Sequence, residues 1–477
     1  MRVFFTNLGC KLNQAENERL AREFVAAGHQ VAAALADADL HVVNSCTVTA
    51  AAARSSRQAA RAAARLATGR PLRTVLTGCW ATASPAEAAT LAGVDLVVPN
   101  GDKERLLEWV SRAFAEAPEP PPNLPGAASR ASHLAPAPPE DPAPAGTGTG
   151  LPQGPIGALP PHGNTRALVK IEDGCDMRCT FCIIPATRGR QRSRPPAEVV
   201  AEVRRLAAAG YREIVVTGVQ ISAYRAAPAG PELAPSRRSL GLAYLVRAML
   251  AALPGPADPA GMPSAAADGP PATRLRLTSI APWELDGELL ALWSDRRLCR
   301  HLHLSLQSGA DATLRRMRRP YTAGRYARLV ERARAAVPGV AVTTDVIVGF
   351  PGETAAEFEE SLATVAALDF AKVHVFPFSP RPGTAAAALP DAVPPAEQRQ
   401  RMARMMAVAE RSEQAFRTAH LGRRVMVLWE RPKGDCGQGL TDTYIRVFSR
   451  DGAALRNQLV EVELAALAPG GMIGRLV

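Results

Sequence analysis

Lys170-Ile-Glu-Asp-Gly-Cys175-Asp-Met-Arg-Cys179-Thr-Phe-Cys182-Ile-Ile-Pro185 is the stretch on which the fold of this chain turns. It directly follows an apolar segment, 166–172, that predicts a β-strand, and it holds three cysteines within eight residues. Three thiolates so spaced suit three irons of a [4Fe–4S] cube. No fourth Cys or His follows at ligand spacing, which leaves one iron open to bind and reduce a small molecule. Two other readings stay open on spacing alone. A structural zinc site wants four ligands, usually in two pairs, and this run offers three. Buried free cysteines are the plainer reading, although three so close together match random core use poorly.

Working outward, five more strand-like segments follow at 213–218, 274–280, 301–306, 340–348 and 372–377. Helical patterns lie between them, at 197–209, 240–253, 326–336 and 355–368. Six β/α units are too few for a closed eight-stranded barrel. Residues 164–395 therefore predict a partial (β/α)6 barrel, with its chemistry at the carboxyl ends of the strands. Pro- and Ala-rich stretches at 226–236 and 254–272 read as inserted loops. Upstream, residues 1–115 alternate strands (2–7, 40–44, 73–77) with helices (13–27, 50–67), an α/β domain on a parallel sheet. Residues 116–163 are rich in Pro, Ala and Gly without periodicity and read as a dispensable linker. A connecting helix at 396–417 leads to 418–477. That tail has short β patterns at 425–430, 443–448 and 458–463 and predicts a small β-barrel.

Cys10, Cys46 and Cys79 are distant in sequence, yet each ends a predicted strand of the first domain. In a parallel sheet three carboxyl ends share one edge, so these thiols can converge on a second cluster, again with an open iron. The glycines before Cys10 and Cys79 let the backbone approach a bulky ligand. Three buried cysteines at strand ends remain the alternative. Cys299 and Cys436 have no ligand-spaced partners and read as a packing thiol and a loop thiol. His303 and His374 lie within strands and read as core or barrel lining.

The formal net charge is +11 and the pI about 9.6, which favours a polyanionic partner such as nucleic acid. Only five of the 56 basic residues are lysine, so single arginines carry little weight. No apolar run approaches the ~18 residues of a membrane span. The N-terminal apolar run breaks at Thr6 and Asn7, too early for a signal peptide. Eight cysteines without an export signal point to metal or catalytic roles. The expectation is a cytoplasmic protein with no membrane partner.

Taken together, the motifs resemble those of the radical S-adenosylmethionine (SAM) methylthiotransferases across nearly the whole chain. In order, they are Leu8-Gly-Cys-Lys-Leu-Asn-Gln14, Asn44-Ser-Cys-Thr-Val-Thr49, Thr77-Gly-Cys79, the Cys175–Cys182 run, Arg188-Gly-Arg-Gln-Arg-Ser-Arg194, Ser279-Ile-Ala-Pro-Trp-Glu284, His301-Leu-His-Leu-Ser-Leu-Gln-Ser-Gly309, Asp345-Val-Ile-Val-Gly-Phe-Pro-Gly-Glu-Thr354 and His374-Val-Phe-Pro-Phe-Ser-Pro380. The tail resembles a TRAM domain, an RNA-binding β-barrel. Cys46-Thr-Val-Thr49, Thr217-Gly-Val-Gln-Ile-Ser-Ala-Tyr224 and Ser279–Glu284 are most similar to the subgroup acting on N6-threonylcarbamoyladenosine at tRNA position 37, next to the anticodon. Gln220 and Arg225 depart from that subgroup's usual residues.

The resemblance implies two [4Fe–4S] clusters, one on Cys175, Cys179 and Cys182 and an auxiliary one on Cys10, Cys46 and Cys79. It also implies two SAM molecules per turnover. One is cleaved by an electron to yield the radical that takes hydrogen from C2 of adenine. The other methylates the sulfur carried by the auxiliary cluster. Phe181, Thr217, Gly218, Gln220, Ser305, Gln307, Val348 and Gly349 would line the SAM pocket. Helix capping is the other role open to Gln307 and Ser308. Arg188, Arg190, Arg192 and Arg194 would face phosphates or SAM's carboxylate, or else form a solvated edge. Arg315, Arg316, Arg318 and Arg319 read as a solvent-facing helix end, with tRNA contact as the alternative. Implied partners are the tRNA anticodon stem-loop, an electron donor such as flavodoxin or ferredoxin, and a sulfur donor. The same chemistry on isopentenyl-modified adenosine in tRNA, or on an aspartate of a ribosomal protein, is the nearest alternative. A non-catalytic zinc and RNA-binding protein and a two-cluster electron carrier are the alternatives from other classes.

Overall fold

The computed structural model describes residues 1–65, 72–115, 165–226, 240–254 and 273–477. The linker 116–163 and the inserted loops 226–236 and 254–272 fall, apart from Ala226 and Pro254, outside the described residues.

The N-terminal unit is a five-stranded parallel sheet in the order Gln30–Val31, Arg2–Asn7, Leu40–Ser45, Arg73–Gly78, Leu96–Val98. Successive side chains of a strand point to opposite faces. Accordingly Val42 and Val75 join Phe5, Phe24 and Leu106 on one side, while Val43 and Leu76 join Ala53, Ala60 and Trp80 on the other. A parallel sheet covered on both faces results. Its two outer strands are two and three residues long, too short to register as a period-two pattern.

The central unit has six parallel strands in chain order: Arg166–Lys170, Glu213–Thr217, Arg274–Leu277 continued by Ser279–Ile280, His301–Leu304, Ala341–Val348 and Lys372–Pro377. They form an open arc, a partial barrel. Two segments expected as single strands are broken. The third breaks at Thr278, so that its halves pair with the second and fourth strands respectively. The first stops at Lys170 because Glu172–Asp173 turns away to pair antiparallel with Arg192–Ser193, carrying the Cys175 loop with it.

Both openings of the arc are closed by the other units. Val169 and Val216 face the outer helices, whereas Leu168 and Val215 face inward and pack on Ala15 of helix Lys11–Ala26. The N-terminal unit thus lies along the arc's open side. At the amino ends of the strands, buried Glu213 accepts from Arg274 Nε and Arg276 Nε, each at 2.7 Å. The remaining guanidinium nitrogens donate to the carbonyls of Leu440 (2.8 Å), Thr441 (2.9 Å) and Asp442 (2.8 Å). Burial would raise the Glu213 pKa, but Arg276 and Arg274 hold it far below the usual carboxylate range.

Those carbonyls belong to the C-terminal unit, a closed barrel reached through helix Pro395–Thr418. Its strands are Arg424–Trp429, Gly437–Thr441, Arg446–Ser449, Leu459–Ala468 and Gly471–Leu476. The second and fifth lack a clear β pattern because glycine replaces side chains there: Val427 fills the space beside Gly439, and Val447 that beside Gly474.

Candidate active site

All six clustered cysteines lie at carboxyl ends of parallel strands. In the N-terminal unit the registers Asn7 with Asn44 and Asn44 with Thr77 bring three strands to a level finish. Cys10, Cys46 and Cys79 follow directly. Gly9 and Gly78 have φ of 92° and 97°. A Cβ on Gly9 would strike the Cys46 sulfur, and one on Gly78 the Ser45 backbone. These glycines therefore serve first to pack the strand ends on one another, which is more than the approach to a ligand expected of them.

Burial pushes the Cys46 thiol up to about 12, and the charges of Cys10 and Cys79 push the same way. Burial likewise pushes Cys182 up to about 12, with Cys179 and Cys175 adding to it. Each set is thus a trio of thiols within electrostatic reach of one another, where a thiolate is costly unless positive charge arrives with it. Irons bring that charge, so the donor chemistry fits a cluster at each place. Among the described residues no three His, Cys, Asp or Glu side chains converge as ligands of a single ion do.

The two sets are tied together by buried polar contacts. Asn100 Nδ2 reaches the Cys79 sulfur at 3.6 Å and the carbonyl of Thr187, just past the Cys182 loop, at 2.9 Å. Arg188, with its side chain 1% exposed, donates to Glu16 Oε1 at 2.8 Å, Asp173 Oδ1 at 3.0 Å and Asn13 Oδ1 at 2.6 Å. Lys103 Nζ lies 2.7 Å from Glu16 Oε2, and Lys170 Nζ lies 3.0 Å from Asp173 Oδ2. Burial would raise the Glu16 pKa, but Arg188, Lys103 and Lys170 hold it well below the usual range. Lys170, at the edge of the network, also reaches Glu104 Oε1 at 3.3 Å, so three cations meet three carboxylates. Arg188 and Lys103 both sense the charge of Cys79.

This corrects one expectation. Arg188 faces neither phosphate nor SAM but a buried ion network. Arg194 likewise pairs with Glu202 at 2.7 Å, while Arg190 is left 91% exposed. A second correction concerns Arg319, expected on a solvent-facing helix end. The helix stops at Arg316, before Pro320, and Arg319 turns inward. Its Nη1 donates to the Cys179 sulfur at 3.4 Å, and its guanidinium lies 4.9 Å from the Trp283 ring, which stacks on Tyr321. Glu16 and Asn13 lie more than 170 residues from Arg188 and Cys179 lies 140 from Arg319, and only Pro320 hinted at the turn.

The expected SAM-pocket residues divide. Phe181 is half-buried and edge-on to Phe350 at 6.3 Å. Gln220 Oε1 accepts from the Cys175 thiol at 3.4 Å, and its backbone N donates to Glu172 at 2.6 Å. The Ser305 carbonyl meets Arg319 at 3.4 Å, while its hydroxyl joins His303 and Asp345 in a polar lining of the bore. Gln307 takes φ 67° and its backbone bonds the fifth strand on both sides, at 2.8 and 2.9 Å. It caps no helix, and among the described residues the Ser308 hydroxyl accepts from Ala310 N alone, at 3.2 Å. Thr217 and Val348 are buried in the strand ends and offer backbone only; Gly218 and Gly349 offer backbone by nature.

Residues 169–365 match the Radical SAM superfamily, and residues 2–99 match a family described as Uncharacterized protein family UPF0004. The chain is 32% identical to the threonylcarbamoyladenosine tRNA methylthiotransferase MtaB of Bacillus subtilis, over 97% of this chain and 93% of that one. It is 33% identical to the tRNA-2-methylthio-N(6)-dimethylallyladenosine synthase of Erythrobacter litoralis, over 99% of this chain and 96% of that one. Among solved structures, the radical SAM methyltransferase TsrM of Kitasatospora setae is similar at 18% identity and a TM-score of 0.48, covering 79% of this chain and 69% of its own, too loosely to argue from.

Proposed function

Since this chain belongs to the radical SAM methylthiotransferases, we propose that it attaches a methylthio group to C2 of N6-threonylcarbamoyladenosine at position 37 of tRNA. The product is 2-methylthio-N6-threonylcarbamoyladenosine. The observation that carries the proposal is the bridge from Cys79 through Asn100 to Thr187, which ties the strand end of one cysteine trio to the segment that follows the other. When bound, a cluster with SAM at Cys175, Cys179 and Cys182 supplies removal of an unactivated hydrogen, and a second cluster at Cys10, Cys46 and Cys79 supplies sulfur.

The chain's own residues do the rest. Helix Lys11–Ala26 closes the arc's side and the C-terminal barrel closes its base, which keeps water from the bore. Gln220 and Arg319 orient the Cys175 and Cys179 sulfurs. Phe181, Gln220, Ser305 and Gln307 are the candidate SAM contacts, with the backbone of Thr217, Gly218, Val348 and Gly349. Two SAM molecules per turnover, an electron donor such as flavodoxin or ferredoxin, and a sulfur donor complete the requirement. The C-terminal barrel is proposed as the RNA-binding TRAM unit, in a cytoplasmic enzyme. No helix among the described residues is long and apolar enough to cross a membrane.

Overall identity does not choose between the two tRNA substrates, since the two relatives stand at 32% and 33%. The residues at Cys46–Thr49, Thr217–Tyr224 and Ser279–Glu284 favour threonylcarbamoyladenosine. So does charge: half-buried Arg381, bonded to Ser379 at 3.0 Å, lies near enough to Cys46 to sense its charge. A carboxylate-bearing adenosine suits that cation better than a dimethylallyl one. The similarity to the dimethylallyl enzyme makes its substrate the second reading. The test is mass spectrometry of tRNA nucleosides from a strain lacking the gene. Loss of the methylthiolated threonylcarbamoyl nucleoside, accumulation of its precursor and rescue on re-expression are expected. Loss of the dimethylallyl product instead would move the proposal to the second reading.

A further inference from the structure

The helix that starts four residues after Cys46 has an arginine face on which, among the described residues, only Arg57 has a contact, over the Trp80 ring at 5.8 Å and beside Glu87. Residues 50–65 read Ala-Ala-Ala-Ala-Arg54-Ser-Ser-Arg57-Gln-Ala-Ala-Arg61-Ala-Ala-Ala-Arg65, four arginines without a single acid. Spacings of three and four residues put Arg54, Arg57 and Arg61 on one side of the α-helix Ala50–Ala62, and Arg65 ends the 3₁₀ turn Ala63–Arg65 that continues it. Arg54, Arg61 and Arg65 are exposed, opposite buried Ala53, Ser56 and Ala60. Among the described residues no ion pair engages these three; Arg57 alone lies near a carboxylate, 3.7 Å from exposed Glu87.

Several arginines on two other long helices are engaged within the protein. Arg332 and Arg334 of helix Ala323–Ala336 donate to the carbonyls of Leu285 and Leu368, at 3.2 and 2.6 Å. Arg401, Arg404 and Arg417 of helix Pro395–Thr418 pair with Glu353, Glu359 and Glu413.

The placement matters as much as the charge. Ala50 N donates to the Ser379 hydroxyl at 3.3 Å, in the loop that ends the sixth barrel strand. The helix therefore begins at the mouth and runs away from it. From Arg54 to Arg65 it covers about 16 Å, enough to follow several successive phosphates of one strand.

We propose that the face bearing Arg54, Arg57, Arg61 and Arg65 is a phosphate track that holds the stem of the substrate RNA while its target base enters beside Cys46. The inference rests on the tRNA reading above and adds a second RNA contact, remote from the C-terminal barrel. Arginines contacting phosphates position the RNA without reading its sequence.

The test uses the reconstituted full-length enzyme and tRNA from a strain lacking the gene. Arg54→Ala/Arg61→Ala/Arg65→Ala keeps helix propensity in an alanine-rich helix. The control is Arg325→Ala/Arg328→Ala, two exposed arginines on the outer face of the barrel. The triple variant should bind tRNA at least tenfold more weakly, with a salt slope smaller by about 2 to 3. SAM cleavage without RNA should be unchanged, and the control should bind like wild type. Wild-type affinity and slope in the triple variant, or an equal loss in the control, overturns the track. Failure of the wild type itself to bind tRNA overturns the substrate reading as well.

Discussion

Cys175, Cys179 and Cys182 share one loop, whereas Cys10, Cys46 and Cys79 come from three strands spread over seventy residues. The loop's geometry is local, set by its own turns and by the Glu172–Asp173 pairing that launches it. The dispersed trio exists only because the N-terminal sheet holds its register. Their surroundings differ too. Among the described residues a single guanidinium, Arg319, contacts a sulfur of the loop set, while the dispersed set borders a buried network in which three cations meet three carboxylates. Two sites of the same donor chemistry are thus built by opposite means, which predicts that they fail separately and for different reasons.

The largest expected effect tests that separation. Cys175→Ala should lose about half the iron and all SAM cleavage. Cys79→Ala should also lose about half the iron yet, when chemically reduced, still cleave SAM to 5′-deoxyadenosine, with no methylthio product. Iron analysis and nucleoside mass spectrometry read both. If Cys79→Ala abolishes SAM cleavage, the two sets are one unit and the comparison breaks.

How far each set was legible in sequence follows from the same difference. The loop set is readable because its spacing is its geometry. The dispersed set needed a fold first, and the strand ends supplied it, since apolar segments at 2–7, 40–44 and 73–77 are long enough to show. What joins the sets was not readable. Arg188 meets Glu16 across 172 residues, and nothing in a run of alternating arginines marks one for burial. Glycine-rich strands such as Gly437–Thr441 hid for a related reason: their packing partners are other strands' valines, not their own side chains.

That joining network is the next place to press. Arg188→Met leaves Glu16 and Asp173 a cation short in a buried setting, a loss of about 3–5 kcal/mol. Both clusters should still assemble and SAM cleavage should continue. The ratio of 5′-deoxyadenosine to methylthio product should rise tenfold or more, because the mouth no longer holds its two sides in place. An unchanged ratio would show that the network stabilises the fold without setting the gap.

Arg319 sharpens the contrast from the other side. Hydrogen bonds to cluster sulfurs stabilise the reduced, more negative state. Arg319→Leu should shift the midpoint of the Cys175–Cys182 cluster to a more negative potential and leave the other cluster's signal where it was. A redox titration followed by electron paramagnetic resonance separates the two. Equal shifts in both would mean that Arg319 acts through the fold rather than through Cys179.

The smallest effect concerns a carboxylate behind each set, and the two should respond to pH with opposite sign. Glu172 is buried, accepts from Gln220 N through one oxygen and leaves the other unpartnered. Burial pushes its pKa up to about 7, with Asp173 adding and the backbone N–H groups of Gln220 and Val219 opposing. The folded protein therefore keeps a proton that the unfolded chain releases at the ordinary value of 4.5, and stability falls as pH rises from there through 7. The loss is about 3 kcal/mol. Glu16 is the reverse case: its depressed pKa contributes stability above the ordinary value, lost on acidification. Glu172→Gln should thus raise the melting temperature of the cluster-free protein at pH 8 and flatten its decline between pH 5 and 8. Glu16→Gln should lower the melting temperature at pH 8. If Glu172→Gln is no more stable than wild type there, the carboxylate is compensated as Glu16 is, and the two sides of the mouth are matched rather than opposed.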